Sequence, residues 1–443
     1  MFQTFINAWK IADLRKKLLY TALIVLIFRI GAALPVPFVD IAGGLITDAN
    51  ANNFMTYLSM MTGDAFNYGT LFAMSITPYI NASIIIQLLT VAIPPLEKLA
   101  KEGEEGRKKI SAITRYTAIG LAALQSTAYY FYIRAQGYLT LSASGAKYTG
   151  FWAVFQAVVI ILCYTAGAAL LMWLGEQIND KGIGNGISII LFAGIVSRMP
   201  TTLYSLYSYM DRGGAYFALI PIAFISMLLM VAYIVWMDNA ERRIPVQYAK
   251  RVVGRKMYGG QSTHIPIKVN MCGVLPIIFA SSILSLPPTI QMFVTLHPDE
   301  SKWDAFWQGF FNIFQSTHWA YAIMYFVLII FFAYFYAAIQ YNPIEMANNI
   351  RRNSGAIPGI RPGKPTSDYI TKILSRITLL GALLISVIAL YPILFSQITA
   401  LFDKQVNLTM GGTSIIIMVG VALETVKQLE SQMMMRHYKG FLD

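Results

Sequence analysis

Apolar residues along this chain come in long, nearly uncharged runs separated by short polar stretches. A helix needs about 20 apolar residues to cross roughly 30 Å of hydrocarbon. Ten runs reach or approach that length: Leu18–Leu34, Tyr68–Ile93, Ile113–Tyr132, Phe151–Leu174, Ile183–Met199, Tyr216–Met237, Val269–Val294, Trp319–Tyr341, Ile373–Leu394 and Thr413–Leu429. The pattern predicts an all-α, polytopic membrane protein with ten spans, the fifth and tenth being the shortest. The first run follows Lys10, Arg15, Lys16 and Lys17, as a signal peptide would, but Arg29 interrupts it and no small-residue cleavage site precedes a soluble domain. It reads as a retained helix.

Composition agrees. Of 443 residues, 56% are hydrophobic and 13% charged, with a mean hydropathy of +0.55. Soluble domains run at about 45–50% apolar and about 25% charged, so lipid has to be the main solvent. A secreted enzyme, a cytosolic enzyme and a disordered tail are excluded.

The net charge of +12 gains meaning once it is sorted by side. With a cytoplasmic N-terminus, 27 of the 34 Lys and Arg residues fall inside and 6 outside, and Arg29 lies within a span. Cytoplasmic loops carry such an excess, so both termini are expected in the cytoplasm. Ten spans divide into five and five, and an odd number per half inverts the second half relative to the first. The expected units are an N-terminal half (1–200), a C-terminal half (215–430) with inside loops at about 239–268 and 341–371, and a cytoplasmic tail (431–443). The two loops are strongly basic. Arg255, Lys256 and Arg361 sit mid-loop, far from the membrane ends, which favours docking of an acidic protein or RNA over lipid anchoring alone.

Several features bear on mechanism. The segment Asn52–Ala65 has Phe54, Tyr57, Leu58, Met61 and Ala65 at helical spacing but is too short to span. It either lies on the outer leaflet or folds back into a cavity, with Gly63 and Gly69 as candidate hinges. Arg29 is the clear intramembrane charge; ion-coupled transporters usually carry acidic, His or Lys residues in their pathway. Uncharged polar residues do occur mid-span: Asn81, Ser83, Gln87 and Thr90 in the second, Ser281, Ser282 and Ser285 in the seventh. They serve either as helix–helix glue or as a contact between helices that separate. Pro78 and Pro276 are expected to interrupt these helices and Pro287–Pro288 to end the second. Gly182–Gly186 reads as a tight turn opening the fifth span. Cys163 and Cys272 lie in apolar runs and the four histidines are scattered, so neither a disulfide nor a metal site is expected. No nucleotide-binding or metalloprotease motif is present, and no cofactor or enzymatic activity is expected.

Over essentially its whole length the chain resembles the SecY family of bacterial protein-conducting channels. The stretches that carry the resemblance are Thr77–Gln87 (TPYINASIIIQ), Lys101–Lys109 (KEGEEGRKK), Gly175–Gln177 running into Gly182–Ser188, Gln261–His264, Pro358–Gly363 and Gly411–Ser414.

That resemblance implies two five-helix halves around an hourglass pore, with Ile76, Ile80, Leu191, Ile278 and Ile417 at the positions of its aliphatic ring. A hydrophobic constriction gates by dewetting and binds no particular side chain. The segment at about 52–66 matches the plug, with Phe54, Tyr57, Leu58 and Met61 on its helical face. The second and seventh spans match the lateral gate, where Asn81, Gln87, Ser281, Ser282 and Leu286 are its candidates. Signal sequences and membrane segments leave there because lipid is their better solvent. Asn81 replaces the small hydroxyl residue expected at its position, and Leu191 the commoner isoleucine. Arg255, Lys256 and Arg361 match the docking surface for the SecA motor ATPase and for the ribosome and its RNA. SecE and SecG are implied as membrane subunits, unfolded preprotein and signal peptide as cargo, lipids as surroundings, and the bacterial plasma membrane as location. The competing readings are a ten-helix secondary transporter of a small solute and a membrane-embedded enzyme.

Overall fold

The computed structural model describes residues 2–41, 43–45, 59, 62–140, 150–210, 216–248, 251–253, 256–258, 262–291, 302–314, 318–401 and 412–439. Helices dominate: α1 (Phe2–Lys10), α2 (Ala12–Gly31), α3 (Thr77–Ala92), α4 (Pro94–Lys101), α5 (Glu104–Gln136), α6 (Phe151–Lys181), α7 (Gly186–Met210) and α8 (Tyr216–Asn239). After a β-hairpin come α9 (Leu275–Gln291), α10 (Lys302–Ile313), α11 (Trp319–Gln340), α12 (Pro343–Arg352), α13 (Lys364–Leu401) and α14 (Gly412–Lys439).

Each of the ten apolar runs lies on a helix: α2, α3, α5, α6, α7, α8, α9, α11, α13 and α14 in order. Among the described residues, six are apolar enough by length and composition to cross a membrane unaided, and the bent pair α3–α4 makes a seventh. α2 misses that mark because Arg15, Lys16, Lys17 and Arg29 fall within its 20 residues, α5 because residues such as Gln125, Ser126 and Thr127 dilute its apolar run, and α9 because it has only 17. At about 1.5 Å per residue, the 38 residues of α13 extend about 57 Å, well beyond a bilayer core.

The prolines act differently from the expectation. Helix α3 starts only at Thr77, not at Tyr68, because Ser75 is left-handed (φ 50°) and breaks the run. Pro78 then sits in the first helical turn, where a missing N–H costs nothing. Pro276 is likewise the second residue of α9. Both prolines therefore begin their helices. Helix α9 also continues past Pro287–Pro288 to Gln291, although each ring removes a donor and crowds the carbonyl four residues before it. A true break comes at Pro94–Pro95: Ile93 is forced into an extended conformation (φ −111°, ψ 111°), and α4 leaves α3 at 106°.

Two clusters anchor the first half of the chain. One joins Ile24 and Phe28 of α2, Phe72, Leu171 and Leu174 of α6, and Ile189 and Ile190 of α7. The other joins Val36, Phe66, Tyr129 and Ile133 of α5, and Ile160 and Tyr164 of α6. The second half is built on Ile234 of α8, Ile277 and Phe279 of α9, Ile329 and Phe332 of α11, Ile388 of α13 and Ile416 of α14. The termini meet: Ala8 and Leu14 pack with Leu429, and Lys17 donates to Gln432 (3.4 Å). The expected tail is helical through Lys439.

The loop at 239–268 is not irregular. β1 (Glu241–Tyr248) pairs antiparallel with β4 (Ser262–Lys268), and between them β2 (Arg251–Val253) pairs with β3 (Lys256–Tyr258). The second loop adds β5 (Gly355–Ala356) to the other edge of β1. Ile244, Val246 and Ile267 alternate onto one face and are buried with Ile350, Ile357 and Ile370. The all-α expectation thus needs two small sheets added, and the two basic loops form one body.

Asn185 caps α7 by accepting from the amides of Ile187 (3.2 Å) and Ser188 (3.5 Å), so Gly182–Gly186 is the tight turn that the sequence suggests. A Cβ at Gly186 would lie 1.9 Å from the carbonyl oxygen of Gly175. Gly186→Ala should therefore push α6 and α7 apart and lower the melting temperature in detergent, at a cost of roughly 1–3 kcal/mol. Gly120→Ala, with open space around it, should leave the melting temperature unchanged or raise it; equal loss in both variants would refute the contact.

Candidate functional site

A small apolar cluster joins helices from the first and second halves of the chain. Leu191 and Ile195 of α7 and Ile417 of α14 are its buried members, and Ile80 of α3, Met227 of α8 and Val274 pack against them. Ile80 also touches the neighbouring cluster that contains Ile76, so the contact runs on into the first half. Ile278 is half-buried one turn beyond Val274, to whose carbonyl its amide donates (3.2 Å). Of the five aliphatic positions singled out by sequence, Ile80, Leu191 and Ile417 share one cluster, Ile76 adjoins it, and Ile278 lies beside it on α9. All of these side chains are apolar, so the junction is held by dispersion and burial, with no directional bond to orient a passing chain.

The same junction runs between α3 and α9. Ser282 Oγ donates to Asn81 Oδ1 at 3.4 Å, and Ile84 packs on the core cluster of the second half. Packing elsewhere is heavier, α3 lying chiefly on α5 and α9 on α11. Ser281 bonds its own helix through the Ile278 carbonyl (3.0 Å), and Gln87 is exposed. The side chain of Leu286 lies outside the described residues. Asn81 and Ser282 are thus brought together across the seam, whereas Gln87 and Ser281 are not.

Phe54, Tyr57, Leu58 and Met61 lie outside the described residues. The end of their segment is described, and it is not helical: residues 62–69 form turns, so the helical pattern expected to run to about 66 does not extend through them. Gly63 (φ 63°) and Asp64 (φ 72°) are both left-handed, which ends any helix and is uncommon for a non-glycine residue. This end is tightly held. Tyr129 donates to the Phe66 carbonyl and Tyr164 to that of Gly69 (2.9 Å). Ser59 Oγ donates to Asp64 Oδ1 (2.8 Å), and Arg198 of α7 reaches both residues. Its Nη1 donates to Ser59 Oγ (3.0 Å), and its Nε lies 2.9 Å from Asp64 Oδ2 as an ion pair whose N–H is not aligned for a hydrogen bond. The two charged side chains are only 18% and 21% exposed. Arg29 of α2 donates to Ser197 Oγ (2.9 Å) and to the Gly63 carbonyl (3.4 Å), so it pairs locally. A Cβ at Gly63 would come within 2.9 Å of both Ser197 Oγ and the Arg29 guanidinium.

Sequence reading missed Ser59, Asp64, Ser197 and Arg198 as a group. The available signal was an aspartate in an otherwise apolar stretch (MTGDAF) and an arginine closing the fifth span (VSRMP).

At the hairpin body, Arg242, Arg243, Arg351, Arg352, Arg361 and Lys364 are all exposed. Asn342 caps α12 through the amides of Ile344 and Glu345. Thr366 donates to the Arg361 carbonyl (2.9 Å), which fixes that residue at the start of α13. Arg255 lies outside the described residues; Lys256 begins β3, and its side chain lies outside them too. Among the described residues no group of three His, Cys, Asp or Glu could hold a metal.

Comparison with known proteins places this geometry. The family model SecY matches residues 70–426. A protein translocase subunit SecY of Streptomyces galbus is 43% identical over 445 residues, and one of Mycobacterium bovis 45% over 457, each covering 100% of both chains. Among solved structures, a protein-conducting channel superposes with a TM-score of 0.61 at 17% identity, covering 94% of this chain and 92% of its own. The canine Sec61 channel of a ribosome–channel complex superposes with a TM-score of 0.57 at 14% identity, with the same coverage.

If the seam is as close as the Asn81–Ser282 contact implies, cysteines at these two positions should be joined by a short bifunctional thiol reagent. The background would be a chain with Cys163 and Cys272 replaced by alanine. Gel mobility after proteolysis between α3 and α9 reads the link. A pair moved to Gln87 and Ser282 should link far less, and equal linking of both pairs would refute the seam.

Proposed function

The chain belongs to the SecY family and is the channel subunit of a protein translocase, and we propose that it passes unfolded preproteins between its two halves. It is a multi-pass membrane protein of the translocon. A small-solute transporter finds no support among its relatives.

On this reading, residues 1–200 and 215–430 are the two inverted halves. Ile76, Ile80, Leu191, Ile278 and Ile417 form the constriction. An aliphatic ring suits cargo of any sequence: it seals by excluding water when empty and collapses around a chain without bonding to it. The observation that carries the reading is the single apolar cluster of Ile80, Leu191 and Ile417, contributed by α3, α7 and α14 from opposite halves. The segment at about 52–66, with Phe54, Tyr57, Leu58 and Met61, is the plug on the outer side of the ring. α3 and α9 are the lateral gate, with Asn81, Gln87, Ser281, Ser282 and Leu286 along it. The thin contact between these helices, set against their heavy packing on α5 and α11, supports a seam that parts. An apolar signal sequence gains about 25 cal/mol per Å² when it moves from water to lipid, so an open seam needs no further drive to release it sideways.

The chain carries out no chemistry of its own in this reading. Work comes from the SecA ATPase or the translating ribosome, docked on Arg255, Lys256 and Arg361 at the cytoplasmic face. The strong positive charge of that face supports contact with acidic protein or with ribosomal RNA. SecE and SecG complete the membrane complex. Both termini lie in the cytoplasm and the membrane is the bacterial plasma membrane, which the 27-to-6 distribution of Lys and Arg supports.

Liposomes containing the chain, its small membrane subunits and the motor ATPase should import an unfolded preprotein only with ATP. Uptake of a small solute without the motor, and no preprotein import, would overturn the proposal. Replacing Ile80 or Leu191 with glycine should raise the ion conductance of the resting channel in planar bilayers, because a wider, less apolar constriction stays wet; unchanged conductance would count against the ring. Arg361→Glu should slow motor-driven import severalfold while leaving expression and melting temperature as in the parent; normal import would refute the docking role.

A further inference from the structure

We propose that Arg198, through its ion pair with Asp64 and its hydrogen bond to Ser59, is a positioning residue that latches the channel shut and sets how readily it opens. The inference rests on the channel reading above and adds to it a specific threshold.

In a chain with so few charges near its spans, Asp64 and Arg198 are both about four-fifths buried and lie within 2.9 Å of each other. One guanidinium bridges two points of the preceding segment, Asp64 and Ser59, which are themselves joined at 2.8 Å. The turn is closed from within by the Asp64 amide on the Ser59 carbonyl (2.9 Å) and by Thr62 Oγ1, which bonds the Ser59 carbonyl and the Phe66 amide. These bonds tie Ser59, Thr62, Asp64 and Phe66 to one another. Arg29 of α2 donates to the Gly63 carbonyl of the same turn and to Ser197, the neighbour of Arg198. Arginines from two helices thus hold the turn, one by an ion pair and one by a hydrogen bond.

A released turn takes its carboxylate away from Arg198 and leaves a mostly buried cation unpaired. Breaking one partner of a buried pair is costly because the other charge is left without compensation. Apolar contacts at the constriction are many and individually weak, whereas the ion pair concentrates its cost in one contact whose loss leaves a buried charge behind. The left-handed backbone of Asp64 fits this role, because Asp and Asn tolerate that region where bulkier residues do not. It also makes Asp64→Asn a clean test, removing the charge while keeping the backbone and the shape.

The experiment is resting ion leak through the complex of full-length chain and small membrane subunits in planar bilayers, together with export of a preprotein whose signal sequence has been weakened. Asp64→Asn and Arg198→Gln should each raise the leak about tenfold or more and permit export of the weakened preprotein. The double variant should leak no more than the worse single variant, because both changes break one link. Arg198→Lys, which keeps the charge but not the two-point bridge, should fall between. Parent-like leak in Asp64→Asn, or effects that simply add in the double variant, would overturn the latch. Ile80→Gly in the same bilayers separates this from failure of the channel reading. If it leaks while the latch variants stay tight, the latch alone falls. If neither it nor a stalled preprotein produces conductance, the channel reading falls and the latch with it. Should Arg198→Gln not fold, Asp64→Asn and Arg198→Lys carry the test.

Discussion

The junction of Ile80, Leu191 and Ile417 is held by apolar contact alone. Its members come from α3, α7 and α14, and each contributes only dispersion and the removal of water from its surface. Strong cohesion is placed elsewhere. Each half has its own aromatic and aliphatic clusters, such as Phe28 with Phe72 on one side and Phe279 with Phe332 on the other. Between these clusters, α3 and α9 meet at one weak hydrogen bond, from Ser282 to Asn81.

Charge is arranged differently. Near the spans it appears where it fixes something, as Arg198 with Asp64 and Arg29 with Gly63 do. At the far end it is displayed on a scaffold. The β1–β4 hairpin and β5 merge two loops that are about 100 residues apart in the chain, and the buried row of Ile244, Val246, Ile267 and Ile357 seats them on α12 and α13. Because that underside is apolar and fixed, the arginines on the exposed side stand in a defined arrangement.

Much of the fold was legible in the chain. Runs such as Phe151–Leu174 and Tyr216–Met237 announce helices through length and apolarity alone, because lipid leaves the backbone no other way to satisfy its own polar groups. Turn chemistry was legible at Gly182–Gly186. Proline was misread, since Pro78 and Pro276 open helices and Pro287–Pro288 lie inside one; whether a proline stops a helix depends on which amide it replaces. The hairpin was overlooked although Ile244/Val246 and Ile265/Ile267 alternate, because the surrounding basic residues dominate the composition of that stretch.

The sequence by itself determined that this is a membrane protein, that ten apolar runs each lie on a helix, that positive charge collects in particular loops, and the family to which it is similar. Those properties are sums or local patterns, and each residue contributes to them whatever its distant neighbours do. Tertiary structure alone decided that Ile80, Leu191 and Ile417 share one cluster, and that Asn81 meets Ser282 from about 200 positions away. It also decided that Arg198 closes on Asp64 and Ser59. A lone aspartate and a lone arginine in apolar stretches carry no sign of their pairing in the chain, because the pairing is created when two helices and a turn are packed into the same few ångströms.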